Sequence, residues 1–221
     1  RRAILMAVDR PPLARTLFGE IGEPALSPIP AALREHTNTV RTIPFDTAGA
    51  RRVLREAGRQ DTNGSGLLDK GGRPFRVEVE YISSDATRKD MLIAMQSMLR
   101  KIGIDLAPRA YESTTWVSRM RDGSFAGSFW GWGWGPGVGG PNAEMIFHSR
   151  SIPPNGPNFA RYSNPRVDRL IDSTLVVQDS ARARAIWSEL EQILIDDAPY
   201  APIYMDPELF GVHSRFRNVK F

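Results

Sequence analysis

The sequence predicts an α/β fold. Residues 75–82 alternate with period two, setting Phe75, Val77, Val79 and Tyr81 on one face and Arg76, Glu78 and Glu80 on the other, the pattern of a strand buried on one side and polar on the other. Met91, Met95, Met98 and Ile102 then recur at helical spacing, with Ser84 or Asp85 as a cap and Gly103 as a stop, and Ile104 to Ala110 is extended again. Strand, helix and strand with short joins make a βαβ unit, so a parallel pair is predicted. The methionine stripe would also suit an adaptable binding face, but its spacing is that of a core face. A length of 221 residues with 41% hydrophobic content is enough for a real core.

The other elements come in chain order. The chain opens inside a helix, with Ile4, Ala7 and Val8 on one side. From Thr47 as N-cap, Ala50, Val53, Leu54 and Ala57 mark an amphipathic helix that ends at Gly58, a natural residue for the left-handed C′ position. Asn164 followed by Pro165 starts a helix with Val167, Leu170, Ile171 and Leu175 inward. Another runs from Asp179 or Ser180 through Ile186, Leu190, Ile193 and Leu194, before an extended piece from Tyr200 to Met205. The proline-rich patches at 24–30 and 153–157 read as surface connections, and there are no internal repeats.

Composition excludes several classes. The net charge of +4, from 29 basic and 25 acidic residues, is spread in ones and twos, which suits a solvated surface better than a nucleic-acid footprint. With 0 cysteines, disulfides and thiolate metal sites are excluded, and the redox compartment stays open. No apolar run is long enough to span a bilayer, and the first residues lack the apolar region and cleavage site of a signal peptide.

Few motifs carry chemistry. GPGVGG at 135–140 matches G-x-G-x-x-G, the pyrophosphate loop of a nucleotide-binding enzyme, but it contains Pro136 and lies far from the βαβ unit. Asp61 to Gly66 copies half a calcium loop, yet Gly72 stands where a bidentate glutamate belongs, so a turn between helix and strand is predicted. His36, His148 and His213 have no sequence neighbours that suggest zinc or a triad, and Asp196-Asp197 reads as a solvated helix end. No catalytic residue, metal ligand or cofactor site is predicted.

The aromatic residues are more informative. GSFWGWGWGPGVGGP, residues 127–141, holds three of the 5 tryptophans among seven glycines. If residues 125–134 form a strand, Trp130, Trp132 and Trp134 share one face while Gly131, Gly133 and Gly135 leave the other bare. Three rigid indoles in a row suit the wall of a small-molecule site better than mere packing.

Several stretches together resemble one family: RRAILMAVDR with Leu13 and Phe18-Gly19; PALSPIP; FDTAGARRVLREAG with DTNGSGLLDKGGRPF; LRKIGIDL; Trp116 ahead of a Gly-Trp pair; NFARYSNPRVDRLID; and ARARAIWSELEQILIDDAPYAPIY. In this order they are similar to the C-terminal lobe of the family 5 extracellular solute-binding proteins, the dipeptide-, oligopeptide- and nickel-binding components of ABC importers. The resemblance implies a type II periplasmic-binding-protein-like lobe, a mixed sheet flanked by helices, with residues 1–221 as a single lobe of a two-lobed protein. A first lobe and signal sequence would precede Arg1, and a short return to that lobe would follow Phe221. It further implies a monomeric protein, periplasmic or extracellular and lipid-anchored, that closes over a ligand and hands it to a membrane permease.

In peptide-binding members an aspartate after the Gly-Trp pair holds the peptide's amino terminus. Matching that pair to Gly131-Trp132 puts Gly135 at the aspartate position and Trp116 at an earlier pocket tryptophan. A buried ammonium needs a charge partner, so without that carboxylate a free peptide held in the usual way is not expected unless the other lobe supplies one. The expected ligand wall is Trp116, Trp130, Trp132 and Trp134 with Gly135, and Asn158, Arg161 and Tyr162 are either polar contacts or structural parts of their loop. Two rival readings stand beside this receptor: a nucleotide-binding enzyme using Gly135 to Gly140, and a basic aromatic surface for single-stranded nucleic acid.

Overall fold

A computed structural model of the chain describes residues 1–31, 33, 36–132, 143–206 and 211–219. In order, its elements are α1 (Arg2–Ala7), α2 (Arg10–Phe18), β1 (Glu23–Pro24), α3 (Thr47–Glu56), β2 (Asp69–Lys70), β3 (Arg73–Pro74), β4 (Arg76–Ile82), α4 (Ala86–Arg100), β5 (Asp105–Tyr111), α5 (Ser113–Asp122), β6 (Gly127–Ser128), α6 (Ala143–Phe147), α7 (Pro165–Val176), α8 (Ser180–Asp197) and β7 (Tyr204–Met205). The predicted βαβ unit is its centre. β4 and β5 pair in parallel from Arg76 opposite Asp105 to Ile82 opposite Tyr111, and β6 adds a short parallel third strand on the other edge of β4. The antiparallel pairs, β1 with β7 and β2 with β3, are separate two-stranded ribbons, so the sheet flanked by helices is parallel among the described residues.

Helix α4 forms where its stripe directs it. The Asp85 carboxylate caps it by accepting the Arg88 N–H, and Gly103, at φ 83°, turns the chain into β5. Met91, Leu92, Met95 and Leu99 are buried against Ile104, Leu106 and the apolar face of β4, in a core completed by α1 and α3. Each such side chain contributes roughly 1.5–3 kcal/mol by leaving water. The methionines are therefore core. A second apolar cluster joins α6, α7 and α8 through Phe147, Val167, Leu170, Ile171, Leu190 and Leu194.

Several expectations need correction. The N-cap of α3 is Asp46, whose carboxylate accepts the Gly49 N–H, so Thr47 is already helical. Leu175 is 63% exposed, because the last turn of α7 runs past the end of the second cluster. Residues 24–30 are not a surface connection: Pro24 pairs with Tyr204, and Ala25, Ser27 and Ile29 are buried. Glu80 is 3% exposed, because α5 covers the polar face of β4. Finally, over the described part of 125–134 the expected strand shrinks to Gly127–Ser128, and residues 129–132 lie outside it; Gly133 and Trp134 lie outside the described residues.

The caps read for α7 and α8 and the turn read at Asp61 hold. Asn164 caps α7 and Asp179 caps α8 with their side chains. Asp61 accepts the N–H groups of Ser65 and Gly66, which makes its loop a closed turn, and no cluster that could hold a metal ion occurs among the described residues. No described helix is long and apolar enough to cross a membrane.

Candidate functional site

The site begins where the chain leaves the short strand β6. Gly127 lies close against β4: an added Cβ would sit 3.3 Å from the Glu78 carbonyl oxygen and from Val79 Cγ2, tighter than most such contacts. The Phe129 N–H then donates to the Glu80 carbonyl at 2.8 Å, anchoring the chain at its exit from the sheet. Phe129 packs on the first core, whereas Trp132 packs on the second. The aromatic run therefore bridges the two clusters, near the carboxyl ends of parallel strands where open α/β sheets place ligands.

Three of the predicted tryptophans come together. The Trp130 ring centroid lies 5.9 Å from Trp116 and 4.3 Å from Trp132. Phe159 and Tyr200 extend the group, at 5.1 Å and 6.3 Å from Trp130, and Phe159 also stacks on Trp132 at 6.3 Å with 9° between planes. Trp116, buried on α5, donates its indole N–H to Ser128 Oγ at 2.9 Å, so its ring is fixed in orientation. Trp130 and Trp132 are half-buried. Trp134, Gly135 and the loop GPGVGG lie outside the described residues.

The polar candidates stand apart from this wall. Asn158 is fully buried; its amide donates to the His148 and Tyr162 carbonyls at 3.1 and 2.8 Å and accepts the Tyr162 N–H at 3.1 Å. It staples the loop that carries Phe159. Arg161, exposed and at φ 50°, donates to the Arg121 carbonyl at 2.8 Å, tying that loop to the end of α5. The Tyr162 hydroxyl donates to Asp197, which also accepts from Asn164, so Asp197 has defined partners rather than only solvent. Burial, then that hydrogen bond, hold the Tyr162 hydroxyl well above its usual range. Burial likewise raises Tyr200 to about 12, keeping a neutral hydroxyl at the wall.

Sequence reasoning missed Phe159, Tyr200 and Ser128. Phe159 and Tyr200 sit in the stretches NFARYSNP and APYAPIY, but only folding brings them to the indoles. The histidines also differ from expectation. His148 lies 3.5 Å from both Asp168 and Asp172, one helical turn apart on α7, and His36 bonds the fully buried Glu191 at 2.7 Å.

Clustered indoles, edge-on and tilted to one another, beside neutral donors make a surface chemically suited to flat or apolar ligand faces oriented by few hydrogen bonds. Comparison with known proteins agrees with a binding role. The oligopeptide-binding protein AppA of Bacillus subtilis is 27% identical over 225 residues, covering 100% of this chain and 41% of AppA. Its structure with a nonapeptide superposes with a TM-score of 0.83, over 92% of this chain and 40% of that one. NikA from Brucella suis, solved with Fe(III)-EDTA, is 28% identical with a TM-score of 0.80, over 92% and 41%. An oligopeptide ABC transporter binding protein of Thermotoga maritima, solved with mannohexaose, shares the fold at 21% identity and a TM-score of 0.80, over 93% and 40%. The chain thus spans about two-fifths of the length of these relatives. Residues 1–153 match the family described as bacterial extracellular solute-binding proteins, family 5 Middle, and the chain belongs to that family.

Proposed function

We propose that residues 1–221 form the C-terminal lobe of a two-lobed, monomeric solute-binding component of an ABC importer, which captures an organic solute between its lobes and delivers it to a membrane permease. The wall of Trp116, Trp130 and Trp132, extended by Phe159 and Tyr200, carries this reading. Rigid aromatic side chains lose little conformational entropy on contact and bury a large area, as a reversible receptor requires. Such a protein works outside the cytoplasmic membrane, periplasmic or lipid-anchored, and performs no catalytic step. Family membership favours this receptor over a nucleotide-binding enzyme.

In this reading Asn158 and Arg161 act through the loop they hold, and Tyr162 through its bond to Asp197. AppA, NikA and the Thermotoga protein were solved with a peptide, a metal chelate and an oligosaccharide, so lobe architecture alone does not select the ligand class. The test is a tryptophan-fluorescence titration of the intact two-lobed protein with a mixed tri- to nonapeptide library and, separately, with mannohexaose. Saturable quenching by one of them, weakened at least about tenfold by Trp132→Ala, is expected. Binding that is unchanged in Trp132→Ala overturns the wall assignment.

A further inference from the structure

A second concavity lies on a different part of the lobe. The loop from His36 to Thr39 packs against α8 and forms with it an open cavity of about 600 Å³, within the roughly 300–1,000 Å³ of small-molecule sites. On the helix side it is lined by Arg184, Ser188 and the methyl groups of Ala181 and Ala185; on the loop side each of the four residues carries a side-chain nitrogen or oxygen. It opens to solvent, so a ligand can enter it directly. None of these residues belongs to the aromatic wall. Arg184 lies in the first turns of α8, an 18-residue helix about 27 Å long, whereas Tyr200 lies beyond its far end.

The loop is fastened to the helix at three levels. The fully buried Glu191 carboxylate accepts from the Ser27 hydroxyl, from His36 Nδ1 at 2.7 Å and from the Thr37 N–H at 3.1 Å. The Thr39 and Ser188 hydroxyls hydrogen-bond from loop to helix at 3.0 Å. The Arg41 N–H donates to the Gln192 side-chain oxygen at 2.8 Å, and the Gln192 amide donates back to the Arg41 carbonyl at 3.4 Å. Both sides of the cavity are therefore set in advance, which lowers the ordering cost of binding.

The lining decides the ligand chemistry. Arg184 brings a permanent positive charge, and no acidic residue lines the cavity among the described residues. The carboxylates nearest along α8 are committed elsewhere, Glu191 to the loop and Glu189 to Arg166 at 2.6 Å. A guanidinium presents a fork of donors that matches paired oxygens of a carboxylate or phosphate, and the Asn38 amide and the Thr37 and Ser188 hydroxyls add neutral donors of the kind that orient such a group. A ligand cation would meet only repulsion there. We propose that this cavity binds a small oxyanion, a carboxylate or a phosphate, with Arg184 as its charge partner. The site goes beyond the receptor function of the wall and does not depend on it.

The test is isothermal titration calorimetry of the intact two-lobed protein with inorganic phosphate and, separately, with citrate, at an ionic strength held constant with chloride. Saturable binding of at least one is expected, and the one that binds identifies the oxyanion class. Arg184→Ala should weaken it at least about tenfold. Ala185→Phe alters no charge but fills the cavity, and the same loss is expected. Both positions are exposed on the helix, so the melting temperature should stay that of wild type. Arg182→Ala removes a neighbouring exposed charge that does not line the cavity, and Trp132→Ala alters the wall; each should bind within about threefold of wild type.

Four results overturn the inference. No saturable binding of either anion removes the site and leaves the receptor function untouched. Equal weakening by Arg182→Ala and Arg184→Ala shows diffuse attraction to a basic surface. Wild-type affinity in Ala185→Phe shows that the anion does not occupy the cavity. Binding lost in Trp132→Ala but kept in Arg184→Ala places the anion at the wall instead.

Discussion

Replacing Asn158 with alanine should loosen the wall from behind. The side chain is fully buried and makes three hydrogen bonds inside the chain, two donated to the His148 and Tyr162 carbonyls and one accepted from the Tyr162 N–H. At about 1 kcal/mol net for each bond, their loss costs roughly 3 kcal/mol, and alanine offers nothing to pair the three backbone groups left behind. For a chain of this size that corresponds to a fall in Tm of about 6–12 °C. Urea denaturation followed by circular dichroism reads the free energy, and tryptophan emission reads the wall, because the same loop carries Phe159 against Trp130 and Trp132. The expected result is a lower midpoint with an unchanged slope and a red-shifted native emission. A loss below about 1 kcal/mol, with unaltered emission, would refute the claim that Asn158 acts by holding this loop.

Two further predictions concern buried polar groups. Glu191 is completely buried on α8 and accepts from the Ser27 hydroxyl, His36 at 2.7 Å and the Thr37 N–H at 3.1 Å, so Glu191→Ala leaves these donors unpaired. A loss of about 3–5 kcal/mol in denaturant titration is expected, and a near-neutral result would show that Ser27, His36 and Thr37 are not held by this carboxylate. Tyr200 has a folded-state pKa raised to about 12, above the ordinary phenol value near 10, so its contribution is intact below pH 10 and is lost as pH rises toward 12. Stability should fall across that window and fall less in Tyr200→Phe; identical profiles would contradict its burial.

The parts of the fold that were legible in the sequence are those governed by local periodicity. The stripe of Met91, Met95 and Ile102 and the alternation of Val77, Val79 and Tyr81 record which side each element buries, and both faces meet in one core. The strand expected over residues 125–134 shrinks, over its described part, for a physical reason. Alternating Trp and Gly mimics a strand, but a strand persists only while a partner continues beside it, and β4 pairs with this segment only as far as Ser128. Nothing in the sequence of β4 announces that α5 folds over its polar face and buries Glu80. In the site, the indoles were visible as neighbours in sequence, whereas Phe159 and Tyr200 join them only through the packing of α6, α7 and α8 on the Trp132 side. Asn158 was visible as a polar residue in a distinctive loop, and burial shows that its hydrogen bonds are spent on that loop.

Native mass spectrometry of the intact protein, purified from its own host without added ligand, tests the receptor function most directly. The account predicts a retained small molecule that adds mass in the native spectrum, disappears on denaturation, and is absent or much depleted in Trp132→Ala. A wild-type protein and a Trp132→Ala variant carrying the same adduct in the same amount would contradict it.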